Sequence, residues 1–172
     1  MQLKLSDTEN VLHLLKMFCH AVQGHSNKHQ TIDRPGSELP YIERWFIGRK
    51  IKVPAMVDSA ESIPSFIENL YLHRYGCADP EDMHTHPWDN VSLIVHGRYI
   101  EELADGTMEQ RLPGDIILRK AADAHRIISV EPGTLTLFGT LKKGQEWGFI
   151  VDGEFVHWQN YPLTATSDVP IT

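Results

Sequence analysis

The sequence predicts an all-β domain, a barrel or sandwich of short strands, and two observations carry that expectation. Runs rich in Ile, Val, Leu, Tyr and Trp alternate with turn residues from position 41 onward, at near-regular intervals. Reversals are signalled at Asp105-Gly106, Pro113-Gly114, Pro132-Gly133 and Asp152-Gly153. The expected strands are 41–47, 51–53, 70–75, 91–95, 99–103, 115–119, 125–130, 135–141 and 147–151. One interruption is expected, a short helix around 59–69 capped by Ser59 or Ser62.

The segment before the strands has a different character. Val11, Leu14, Leu15, Phe18 and Val22 recur at helical spacing behind a capping box of Ser6 and Glu9, and Gly24 supplies a stop, which predicts a helix over 6–24. Residues 26–40 then turn polar, with Asn27, Asp33, Pro35, Gly36, Ser37 and Pro40, and are expected to form an extended connecting arm. The chain therefore divides into 1–40, helix and arm; 41–162, barrel; and 163–172, a frayed tail.

Composition narrows the function. At 172 residues, with 41% hydrophobic and 23% charged residues, the chain has the make-up of one globular domain. A net charge of -7, with no basic run longer than Lys142-Lys143, speaks against nucleic acid as a partner. No apolar stretch approaches the roughly 20 residues of a membrane-spanning helix, so no membrane partner is expected either. Only Cys19 and Cys77 are present, and the polar start lacks a signal peptide's apolar core, which together imply a cytoplasmic setting.

The ten histidines are the compositional oddity, and their spacing decides their meaning. In Met83-His84-Thr85-His86 the two imidazoles lie two residues apart, so an extended chain points both to the same face. A third ligand has to come from another strand. His125 is placed to supply it, because Pro113-Gly114-Asp115 turns the chain, 116–119 runs away and 125 begins the return. Three neutral nitrogens suit Fe, Ni, Cu, Zn or Mn and do not suit Ca or Mg. His13, His20, His25 and His29 fall on the helix and arm and are expected to be surface residues.

These residues resemble the two motifs of the cupin superfamily. The first, a glycine, then H-x-H, then Glu, then glycine, is matched by His84-Thr85-His86, Asn90 in the glutamate position and Gly97. The second is matched by Gly106, Pro113-Gly114-Asp115 and His125, with a wider gap before the histidine. The motifs cover residues 76–130. The resemblance implies a cupin-type jelly-roll, a double-stranded β-barrel with the helix and arm attached. It also makes Asn90 a candidate fourth ligand in place of the usual carboxylate. The glutamate-free arrangement is similar in coordination alone to the three-histidine iron site of thiol dioxygenases.

In a cupin barrel the strand before the first motif often lines the cavity, which draws attention to His73, Arg74 and Tyr75, while Arg98, Tyr99 and Glu101 follow the motif strand. Arg74 and Tyr99 are the catalytic candidates among them. The function expected is a metal-dependent cupin that binds a small anionic molecule, with Fe(II) dioxygenase-type oxidation as the leading chemistry. Zn, Ni or Mn are the other metals to consider. A redox-neutral isomerase or lyase, and a non-catalytic binding module, are the alternatives. A metal without an acidic ligand keeps its full charge, so a chelating acid is the expected substrate. The apolar residues on both faces of 91–95 need a cover, from the N-terminal elements or from a second subunit in a homodimer.

Overall fold

The structure is a computed structural model and describes residues 2–4, 29–33, 37–52 and 66–162. The described chain is almost entirely β. In order, the strands are β1 (Gln2–Lys4), β2 (His29–Ile32), β3 (Ile42–Lys52), β4 (Phe66–Tyr75), β5 (Met83–His84), β6 (Trp88–His96) and β7 (Tyr99–Leu103). They continue with β8 (Met108–Arg111), β9 (Asp115–Arg119), β10 (His125–Val130), β11 (Leu135–Lys143), β12 (Gly148–Val151) and β13 (Glu154–His157), and end in a 3-10 turn, Trp158–Asn160.

Two antiparallel sheets form, consistent with a cupin jelly-roll. The first has the order β1-β9-β6-β11-β4-β3-β2 and the second β13-β12-β5-β10-β7-β8. From β4 to β7 and again from β8 to β12 the chain changes sheet at every step, whereas β1 to β4 share one sheet and the tight hairpins β7-β8 and β12-β13 stay within the other. That alternation brings residues distant in sequence face to face across the interior.

The reversals fall where the sequence places them. Gly106, Gly114, Gly133 and Gly153 all take positive φ, as does Asp152 with φ 51, so these turns use backbone conformations that glycine, and next best Asx residues, tolerate. Two positions need correction. Residues 66–69, expected at the end of a short helix, are the start of strand β4, because Ile67 and Asn69 pair with Ile51 and Arg49 of β3. Within the expected arm, His29–Ile32 is a strand that pairs with residues 42–45. The predicted helix over 6–24, most of the one around 59–69, and the tail 163–172 lie outside the described residues. Among those described, the only helical element is the 3-10 turn.

Alternation along the strands sorts the side chains. On the inner face of the first sheet, cross-strand register aligns three rows: Arg119, Asn90, Thr140 and Asn69; then Ile117, Ser92, Phe138, Tyr71 and Phe46; then Ile94, Thr136, His73 and Arg44. One end of the interior is apolar, with Ile94 and Ile117 packed on Tyr99, Ile127 and Val130 of the other sheet. Leu72, Val91 and Leu137 alternate with inward residues and so lie on the outer face, where they join Ile47, Ile67 and Leu70 in a second cluster. Both faces of the sheet are therefore apolar in part, as the 91–95 run suggests.

Gly97 closes the β6-β7 turn with φ 72, and a Cβ there would come within 2.9 Å of the Thr134 Cα. Thr134 is fully buried and ties the β6-β7 and β10-β11 turns together, its Oγ1 accepting from Arg98 N at 3.1 Å and donating to Glu131 O at 2.7 Å. Gly97→Ala meets both an unfavourable φ and a backbone clash, so it should lower unfolding free energy by about 2 kcal/mol or more in urea titrations. Gly144→Ala, with open space around its Cβ, is the control and should change little.

Candidate metal centre

His84, His86 and His125 converge. One nitrogen from each lies within 4.8 Å of the others, and they are the only such group of three among the described residues. Register explains the meeting: His84 of β5 sits directly opposite His125 at the start of β10. His86 is reached two residues on, after Thr85 has turned away to bond Gly148 O through its backbone N at 2.9 Å. The segment is pinned by His86 N, which donates to Ala121 O at 2.9 Å, and by Gln145 Nε2, which donates to the carbonyls of His86 and Ala121 at 3.1 and 3.0 Å.

The orientation of His125 is fixed from behind. Glu101 on β7 is fully buried, and its carboxylate accepts from Arg111 Nε at 2.6 Å and Arg119 Nη2 at 2.5 Å. The His125 Nδ1 lies 3.2 Å from the same carboxylate. An ionised carboxylate only accepts, so the His125 proton resides on Nδ1 and its Nε2 keeps a lone pair. His84 has a longer version of this arrangement, its Nδ1 3.7 Å from Asp79 Oδ2, with Asp79 held by Tyr41 Oη and by Ile127 N at 2.5 Å.

His86 Nε2 and His125 Nε2 stand 3.0 Å apart. Two ring nitrogens that close, one bearing a lone pair, are satisfied only by a shared proton or a shared cation. At 3.0 Å the spacing suits a shared proton in the metal-free centre and equally two ligands of one transition metal, whose imidazole nitrogens lie about 2.0–2.1 Å from it. Burial depresses the basicity of all three rings: desolvation is the main cause for each, opposed at His84 by Asp79 and reinforced at His125 by Arg119 and at His86 by its two neighbours. They are held neutral, which is the state that binds metal.

Asn90 is buried on β6, in the same row as Arg119 and Thr140. Its Nδ2 donates weakly to Trp88 O at 3.4 Å, and its Oδ1 has no partner among the described residues. The two catalytic candidates fare differently. Arg74 alternates with His73 and so points outward, exposed and paired with Glu43. Tyr99 points inward but sits in the apolar cluster of Ile94, Ile117, Ile127 and Val130. His29 is exposed on β2 and stacks on Trp45, with ring centroids 4.9 Å apart.

Two side chains that shape the centre were not singled out as its parts from sequence. Glu101 shares the inward parity of Tyr99 on one short strand, which is the only signal the sequence offers, and Asp79 lies in a loop before the H-x-H pair with none.

Removing Glu101 leaves buried Arg119 without its anion and buried Arg111 with Glu109 alone, at 3.8 Å. Glu101→Ala should therefore cost about 3–5 kcal/mol in chemical unfolding. Where it still folds, metal affinity should fall about 10–100-fold by competition with a chromophoric chelator. Acid should also act through the histidines. Because folding lowers their affinity for protons below the ordinary value of 6.5, the unfolded chain takes up protons first as pH falls. The metal-free protein should hold its stability above about pH 6.5 and lose it progressively below, seen in urea midpoints from about pH 8 to about pH 5.

No family model matches the chain, and a search of curated proteins found no match. Solved structures do resemble it. KdgF from Halomonas sp. aligns at 18% identity and a TM-score of 0.43 over 70% of this chain and 92% of its own. A cupin-2 domain protein from Rhodospirillum rubrum aligns at 10% and 0.45, over 69% and 72%. The DMSP lyase DddQ from Ruegeria pomeroyi aligns at 11% and 0.46, over 70% of this chain and 59% of its own. At these identities and scores the likenesses carry nothing about this chain's chemistry, which rests on its own residues.

Proposed function

We propose that this protein is a metal-dependent enzyme of the cupin type that binds a small chelating acid at His84, His86 and His125 and oxidises it with oxygen. The observation that carries the reading is the convergence of three neutral imidazoles inside the barrel, with no carboxylate oxygen joining them among the described residues. A ligand set of nitrogen donors selects a transition metal, and Fe(II) bound there would supply Lewis acidity and the capacity to activate oxygen.

The chain's own residues perform the rest. Glu101 and Asp79 set the imidazole orientations from behind. Phe138, its ring 6.0 Å from that of His86, walls the near side with an apolar face that limits water. The unpaired Asn90 Oδ1 offers an acceptor to a hydroxyl or water of the bound molecule, or a fourth oxygen to the ion itself. A redox-neutral isomerase or lyase is the second reading.

One divalent ion per chain is expected in protein purified without a histidine tag, and alanine at His84, His86 or His125 should remove most of it. The same substitution at His29 should not. Asn90→Ala should keep the ion, and Asn90→Glu should bind it more tightly if position 90 faces it. Oxygen uptake with a panel of small acids separates the readings: consumption with iron loaded supports oxidation, and turnover without oxygen supports the redox-neutral alternative. Full metal content in the triple histidine variant would refute the site.

A further inference from the structure

On the first sheet, two neighbouring side chains keep polar groups that no partner meets among the described residues, in a way the metal centre does not explain. Arg44 Nε donates to His73 Nε2 at 3.0 Å. A guanidinium is always protonated, so His73 must accept through Nε2 and carry its proton on Nδ1. That Nδ1 is buried, on a residue only 3% exposed, and has no partner among the described residues. It is a desolvated donor without an acceptor, a cost of about 1–3 kcal/mol unless something inside the barrel meets it.

Arg44 presents the matching deficit. It is half-buried, its guanidinium lies 5.2 Å from the Tyr71 ring centroid, and no carboxylate pairs with it among the described residues. The other inward arginines, Arg111 and Arg119, are both paired with Glu101, and Arg111 has Glu109 beside it as well. With Nε given to His73, both terminal nitrogens of Arg44 remain to bind a planar anion end-on.

The two deficits border the metal centre. His73 stacks on Phe138, centroids 5.0 Å apart, and Phe138 in turn approaches His86 at 6.0 Å. Phe138 thus separates two places that each want an anion. Between them the lining is aromatic, from Phe138 and Tyr71.

We propose that Arg44 and His73 form a carboxylate-recognition site, and that the ligand is consequently a short-chain diacid, one end at the histidine centre and the other at Arg44 and His73. This rests on the reading that the three histidines hold a metal and an acid. The aromatic lining suits the methylene middle of such a molecule, and a monoacid would leave either Arg44 or the metal without its counter-charge.

The test uses the full chain loaded with one equivalent of metal, with calorimetry of succinate and glutarate against butyrate and valerate, monoacids of the same lengths. Each diacid should bind at least tenfold tighter than its monoacid. Arg44→Gln should abolish that preference while leaving metal content unchanged, and Arg44→Lys should restore it in part. As a readout independent of any substitution, the His73 imidazole N–H resonance in the nitrogen-labelled protein should shift with succinate and not with butyrate. Loss of metal binding in the wild type would overturn the histidine reading and with it this one. Full metal content with no diacid preference, or a preference that survives Arg44→Gln, would overturn the Arg44 and His73 assignment alone.

Discussion

The buried carboxylate of Glu101 is the interaction on which the centre depends. It lies on the second sheet yet accepts from Arg119 of the first, so it fastens the sheets to each other at the depth of the site. The same oxygens reach Arg111 and His125. Isolated, such a charge would be prohibitively costly in the interior; with two guanidiniums and an imidazole N–H its acceptor capacity is filled. The network therefore has a structural and a chemical face at once, and the imidazole that it orients cannot turn without breaking a bond to a fully desolvated anion.

Around that network the barrel gives up apolar packing. Asn69, Asn90, Ser92, Thr136 and Thr140 occupy inward positions on the first sheet, where a domain selected for stability alone would place Val, Ile or Leu. Some are satisfied locally, as where Asn69 Nδ2 donates to Thr140 Oγ1 at 3.2 Å, and Asn90 Oδ1 has no partner among the described residues. Apolar packing is concentrated instead at the Tyr99 end of the interior and on the outer face around Leu70. The division into a greasy end and a polar end is how one small sheet pair can be both stable and receptive.

The alternation of apolar runs with glycine-bearing turns made the β architecture legible, and three strands, 99–103, 115–119 and 125–130, coincide with their expected bounds. The same-face logic of His84 and His86 and the return strand of His125 were legible too, because they depend on strand periodicity alone. Less so were features that depend on which strands become neighbours. Arg74 and Arg44 cannot be ranked without knowing the parity of β3 and β4, and the sequence gives no cue that the strand carrying Arg74 turns it outward. Glu101 looked like any charged strand residue until Arg119 arrived from another sheet. Met108–Arg111 and Glu154–His157 are polar strands whose pairing comes from tight hairpins, not from an apolar pattern.

The two flanks of the larger sheet carry a consequence for how the chain is assembled. Gln2–Lys4 pairs with 115–117 at one margin, and His29–Ile32 lies at the other. Both outermost strands are short, which leaves little free ladder for another chain to extend. The partners of the first of them are synthesised more than a hundred residues later, so on a ribosome that segment emerges early and waits. Its docking can only follow closure of the loop that spans most of the domain, a slow kind of contact to form. A segment made well before its partners is thus among the last to find its place.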